Sequence, residues 1–363
     1  MLPLPPEKRQ VSPFFVFYLI TSAQIGMGIL SLPRYIVKSA GQDAWIAIII
    51  TALSIHVILW MVYQILNKGT NDITVTHKEL FGKWLGGLLS LALIVYLLLV
   101  AASTLRGYIE MIQVWIFPQL DTWYMALILS ALVYVYVIGG FRVVVGICCL
   151  SFIFNFPLIV TLWFPLQDAQ FSHLFPVFDH SAAEILSASK KMTLYFSGFE
   201  TIFFFYPFIK NARSSQKWAQ YGAAFTTFIY LAVTIISIMY FNKNQLIQTI
   251  WPTITLWKVV DFPFLERFEY LNLAIWLFNI LPSTCLFIWA ATRGIKQLFT
   301  VKQKHSLIVL LVIISVAAVL LKDREQIQQL NTMLSSVSFY VMYAYIPFVF
   351  FYQLIKSKVR KTL

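Results

Sequence analysis

Ten stretches of apolar residues, each near the length that crosses a bilayer, recur along this chain and leave room for little else. About 20 helical residues span the ~30 Å hydrocarbon core. The runs fall at roughly 12–38, 42–66, 84–116, 121–138, 143–165, 183–209, 218–241, 270–292, 305–321 and 334–355. A bilayer interior offers no water to unpaired backbone groups, so the pattern predicts an all-α polytopic membrane protein forming one transmembrane domain over 1–363. Composition agrees: 60% of residues are hydrophobic and 12% charged, against about a quarter charged in soluble proteins. The net charge of +12 does not indicate nucleic acid, because the basic residues are scattered in short groups between apolar runs, as in loops beside anionic lipid. Cys148, Cys149 and Cys285 all lie inside apolar runs and read as free thiols. The first run is too long for a signal-peptide core, and no small-residue cleavage site follows it.

An even number of spans puts both termini on one side. The loops of the terminal side hold seventeen lysines and arginines and those of the other side six, which predicts cytoplasmic termini.

The first span, SPFFVFYLITSAQIGMGILSLPRYIVK, carries Gln24-Ile25-Gly26-Met27-Gly28 near mid-depth. Glycine costs about 1 kcal/mol in a helix interior and lets the backbone leave helical geometry. Small residues in a spanning helix also serve close packing, so this pair alone does not define a site. The sixth span decides between the two. It reads AAEILSASKKMTLYFSGFETIFFFYPFIKN and is interrupted at Ser197-Gly198-Phe199-Glu200, with Glu200 about 15 Å along a helix from Lys210, at the midplane. An acidic side chain there costs ~2.5–3.5 kcal/mol and should face a cavity or a partner. Broken spans at the first and sixth of ten positions, running in opposite directions, divide the chain into inverted five-span halves, about 12–165 and 183–355, with a shared midplane site.

Other polar residues have simpler readings. Arg106 and Glu110, at i,i+4 spacing, read as a mutual ion pair; His56 reads as a hydrogen-bonded structural histidine. Lys190 and Lys191 read as snorkelling outward. Asp168, His173, Asp179 and His180 read as a solvated loop without metal-ligand spacing, so no metal or cofactor is assigned. The segment 242–269, with Trp251 and Trp257 among charges, reads as an interfacial lid or partner surface. Neither an acyltransferase-like His-x4-Asp nor a helical zinc motif occurs, and no catalytic residue is assigned.

Three stretches carry a resemblance: SPFFVFYLITSAQIGMGILSLP at 12–33, FSGFETIFFFYPFIKN at 196–211 and WPTITLWKVVDFPFLERFEYL at 251–271. On these the chain resembles the B-subunit, permease-like family of bacterial endospore germination receptors, a branch of the amino acid–polyamine–organocation superfamily. The resemblance implies a LeuT-like fold, sensing of a small germinant such as an amino acid, association with an A subunit and a lipoprotein C subunit, and residence in the inner membrane of the spore. An amino acid secondary transporter, with or without proton coupling, is the competing expectation, since a fold does not separate the two. For an amino-acid ligand, backbone N–H groups of Ile25, Gly26, Met27, Gly28 and Ile29 would hold the carboxylate. Unwound carbonyls from Tyr195 through Ser197 to Gly198 would accept from the ammonium. Phe199 would shape the side-chain pocket, Glu200 would add charge or titrate, and Tyr96 would face the cavity. Ser283 and Thr284 follow Pro282, which leaves a carbonyl unpaired; in sodium-coupled relatives of this fold such a pair helps hold a cation, although hydroxyls bonded back to their own helix are the plainer expectation.

Overall fold

The computed structural model describes residues 5–68, 72–260 and 267–362. All ten apolar runs are helical. The first span is split into α1 (Phe15–Gln24) and α2 (Gly28–Ala40); α3 (Ala44–Asn67), α4 (Ile73–Trp115), α5 (Thr122–Ile138) and α6 (Phe141–Val160) complete the first half, followed by the short α7 (Trp163–Gln167). The second half opens on α8 (Ala182–Met192) and, past an irregular stretch, α9 (Ile202–Phe205). It continues through α10 (Gln216–Tyr240), α11 (Lys243–Gln248), α12 (Pro252–Trp257), α13 (Phe268–Ile275), α14 (Leu277–Phe299), α15 (Gln303–Leu320), α16 (Arg324–Tyr340) and α17 (Ile346–Thr362). Among the described residues, six helical stretches are each long and apolar enough to cross a membrane, and α5 with α6, bent by 120°, makes a seventh if taken as one span.

The helix boundaries follow local chemistry. Ser181 caps α8 with a full capping box: its hydroxyl accepts from the Glu184 N–H, and the Glu184 carboxylate accepts from the Ser181 N–H. Asn242 caps α11 through Gln245. Gly82, at φ +79°, kinks α4, so a short helix from Ile73 precedes the span expected from residue 84. The last span differs most from expectation. It begins at Arg324, ten residues before the apolar run, and a π-turn at Val341–Tyr345 separates α16 from α17.

The first and last described segments lie on one face. The Lys8 carbonyl accepts from Arg142 at the start of α6, and Lys356 reaches the Glu79 and Leu80 carbonyls near the start of α4. On this face Lys210 donates to Glu7 at 2.7 Å and holds that carboxyl below its ordinary value. The broken spans meet there as well. Val11 N–H donates to the Phe208 carbonyl and Lys210 N–H to the Val11 carbonyl, both at 2.9 Å, an isolated parallel bridge in a structure with no β-strand among the described residues. A buried Asp72–Arg293 pair, 3.8 Å apart, lies nearby, with Asp72 also accepting from Thr74 and Gln297. These contacts tie the elements of the termini side together.

On the opposite face, the loop with the four expected solvated groups is organised around Asp43. Its carboxylate accepts from the backbone N–H groups of Phe178, Asp179 and His180 at 2.8–3.0 Å and stands 3.3 Å from the His180 ring; His173 turns to the Met239 carbonyl. His56 bonds Gln220 across α3 and α10.

Candidate ligand-binding site

Between the two broken spans lies a cavity of about 510 Å³ whose lining runs from Gly26 and Gly28 to Lys38, Lys190, Trp251 and Arg324. Its floor is the break in the first span. The Ile25 N–H still reaches the Thr21 carbonyl and the Leu30 N–H returns to Met27, so the helical ladder lapses between them and the leading N–H groups of α2 have no carbonyl of their own to meet. Gly26, Met27 and Gly28 border the cavity. Ile25 and Ile29 face the other way, into a much smaller apolar pocket with Trp257 and Trp276. Gly28 is required sterically: a Cβ there would stand 2.5 Å from the Tyr195 ring, which forms the facing wall.

The sixth span breaks over six residues, Thr193 to Gly198. Gly198 adopts φ +110°, the left-handed region that favours glycine, and a Cβ would come within 2.8 Å of Ala23. Three of its four expected acceptor carbonyls are occupied. Tyr230 Oη lies 2.8 Å from the Tyr195 carbonyl and 2.7 Å from that of Gln24, Gln24 Nε2 donates to Phe196, and both the N–H and hydroxyl of Thr201 donate to Gly198. The Ser197 carbonyl alone of the four has no partner among the described residues, and Ser197 borders the cavity.

Several expected site residues sit behind the wall rather than on it. Glu200 is fully buried, its carboxylate accepting from the Gly198 N–H at 2.5 Å and from Tyr96 Oη at 3.1 Å. Tyr96 in turn meets Ser338 of α16 at 3.0 Å. Glu200 therefore holds the strained turn in shape from the inside: it ties Gly198 to α4 and α16. Phe199 is likewise buried away from the cavity. Ser283 reaches the cavity wall and Thr284 does not; both hydroxyls donate back to the Ile280 carbonyl, at 2.9 and 2.8 Å, as the plainer expectation had it.

The charged residues correct the sequence reading. Arg106 does not pair with Glu110. Its guanidinium donates to the Leu321 and Lys322 carbonyls, which cap the end of α15, while Glu110 pairs with Arg324 at 2.7 Å. A long-range partner displaced the neighbour because α16 begins at Arg324 and points that residue back across the mouth, over the Trp251 ring. Nor do Lys190 and Lys191 snorkel free. Both border the cavity, Lys190 over the Phe339 ring at 5.2 Å and Lys191 donating to Ser39 at 2.5 Å.

Residues that the sequence reading missed complete the site. Gln24 is 4% exposed and borders the cavity; its Nε2 is committed to Phe196, which leaves Oε1 without a partner among the described residues. A polar side chain at mid-depth in an apolar run was the signal that could have found it. The polar face of α16, with Gln328, Asn331, Thr332 and Ser335, supplies another wall, where Asn331 accepts from Ser103 at 2.5 Å. The segment expected as a lid packs on the first-span break: Thr253 of α12 donates to the Ile29 carbonyl at 3.0 Å, and Trp251 borders the cavity. Part of that stretch, 261–266, lies outside the described residues.

The comparisons with known proteins agree with this architecture. The sequence profile of a family described as spore germination protein matches residues 10–327. Spore germination protein GerQB of Bacillus cereus is 40% identical over 356 residues, 98% of this chain and 99% of that protein. Spore germination protein YndE of Bacillus subtilis (strain 168) is 25% identical over 89% of this chain and 90% of its own length, and spore germination protein A2 of the same organism is 22% identical over 92% of each. Among solved structures, a Na+-coupled sialic acid symporter in a substrate-bound outward-open state superposes with a TM-score of 0.69 over 92% of this chain and 79% of that one; at 11% identity the likeness concerns the fold alone. Built as a LeuT-like pair of inverted five-span halves, the chain belongs to the spore germination protein family.

Proposed function

We propose that this chain is the membrane subunit of a spore germinant receptor that holds a small nutrient, an amino acid, in the cavity between its first and sixth spans. The observation that carries the reading is the set of unused groups at the two breaks: free N–H groups at the start of α2, together with the unpartnered Gln24 Oε1 and Ser197 carbonyl. A helix N-terminus is a natural partner for a carboxylate, and two carbonyl-type oxygens suit an ammonium. In this reading the termini are cytoplasmic, the cavity opens away from the spore core across its inner membrane, and an A-type subunit and a lipoprotein C-type subunit are the partners.

The test is Gly28→Leu in the full receptor. The leucine side chain displaces Tyr195 and fills the floor, so germinant response should fall by at least a hundredfold in sensitivity while the protein still inserts. A normal dose curve at equal abundance would remove the site. Measured uptake of radiolabelled amino acid by vesicles carrying the protein would instead favour transport.

A further inference from the structure

Four cations border the cavity, Lys38, Lys190, Lys191 and Arg324, against one carboxylate, Glu110. Glu110 is already committed to Arg324. Lys190 has only an aromatic face and Lys191 a serine hydroxyl, and none of the three lysines has a carboxylate partner among the described residues. The mouth is therefore a surplus of positive charge between low-dielectric walls, which focuses its field along the cavity axis. The floor is positive as well, because the N-terminus of α2 points into it. Between these two ends lie two acceptors without a partner among the described residues, Gln24 Oε1 and the Ser197 carbonyl.

We propose that the ligand carries a second anionic group, one more than a neutral zwitterion: an acidic amino acid or short acidic peptide, with its α-amine at the Gln24–Ser197 level and its extra carboxylate toward Lys38, Lys190 and Lys191. This rests on the reading of the cavity as the germinant site and specifies its ligand class. The volume, about 510 Å³, lies within the range of pockets for molecules larger than a small amino acid. Lysine suits the role better than arginine, since its flexible stem follows anions of differing length.

The experiment measures binding to purified full-length protein by thermal shift and calorimetry, using charge-matched pairs: glutamate against glutamine, and Ala-Glu against Ala-Gln. At least one acid should bind about tenfold or more tightly than its amide, and the advantage should shrink as salt rises from low ionic strength to ~0.5 M. In the Lys38→Gln, Lys190→Gln, Lys191→Gln triple variant the acid-to-amide ratio should fall toward one, and the triple Lys→Arg variant should restore it. If both amides bind as tightly as their acids, the proposal is overturned and the midplane site is left standing, provided Gly28→Leu abolishes that binding. An acid advantage that survives the glutamine variant overturns it too. No binding of either pair overturns it as well, and neutral amino acids screened in parallel then decide whether the midplane reading falls with it.

Discussion

The first interruption takes three residues, Ile25 to Met27, and the second takes six, Thr193 to Gly198, and the two handle their freed backbone groups in opposite ways. At the first, the donors are left open and the cavity lies against them. At the second, the acceptors are mostly spoken for: Tyr230, Gln24 and Thr201 bond the carbonyls of Tyr195, Phe196 and Gly198, and Glu200 takes the Gly198 N–H. A buried backbone group without a partner costs ~1–3 kcal/mol, so a long break survives in the membrane only when the protein supplies those partners, whereas a short one can wait for a ligand. On the proposed function, the first break is the recognising half and the second the frame that positions it.

If that division holds, the frame should be the more fragile of the two. Gly198→Ala is the largest expected effect. The residue sits at φ +110°, and its new Cβ would meet the Ala23 carbonyl and side chain at 2.8 Å. Backbone strain and overpacking together should cost about 2–5 kcal/mol. Thermal unfolding in detergent should show a clear loss of stability, with germinant response lost alongside. A variant as stable as the native protein would mean that the turn is not locked and that the asymmetry between the breaks is false.

The parts of this site that the sequence made legible are those with a strong local cause. Ten apolar runs dictate ten helical spans, and glycine at 26, 28 and 198 marks where two of them break. What escaped was set by tertiary partners. Arg106 and Glu110 have ideal helical spacing, yet each found a better partner across the bundle in the Leu321–Arg324 turn. The polar face of α16 was hidden because Gln328, Asn331 and Thr332 drop out of any apolar window, although a cavity makes a polar face affordable inside the membrane. Glu200 looked like a ligand contact on depth alone; whether it faced the ligand or the turn depended on Tyr96 and Ser338, more than a hundred residues away on either side.

A finer probe asks how the two breaks are joined. Tyr230 Oη stands within 2.8 Å of one carbonyl from each, Gln24 and Tyr195. Tyr230→Phe keeps the ring against Phe196 and deletes only the donor. Stability should drop by about 1–2 kcal/mol, the cost of leaving buried carbonyls underbonded. An unchanged unfolding temperature would show that the breaks hold their spacing without this link.

The smallest effect belongs to the other glycine of the pair, and it isolates what the first break contributes. A Cβ on Gly26 would meet nothing within 4 Å, whereas on Gly28 it collides with the Tyr195 ring. Gly26→Ala leaves the backbone N–H in place and restricts only the unfolded chain, so stability should stay level or rise by up to ~1 kcal/mol. Germinant sensitivity should remain within about twofold. Gly28→Ala, an identical change two residues on, should weaken the response about tenfold by pushing the Tyr195 ring into the cavity. Dose curves for the two alanine variants at equal abundance compare them directly. Equal responses would show that the pair serves general helix flexibility; divergent ones would show that backbone donors on one wall and an aromatic ring on the other must face each other across open space.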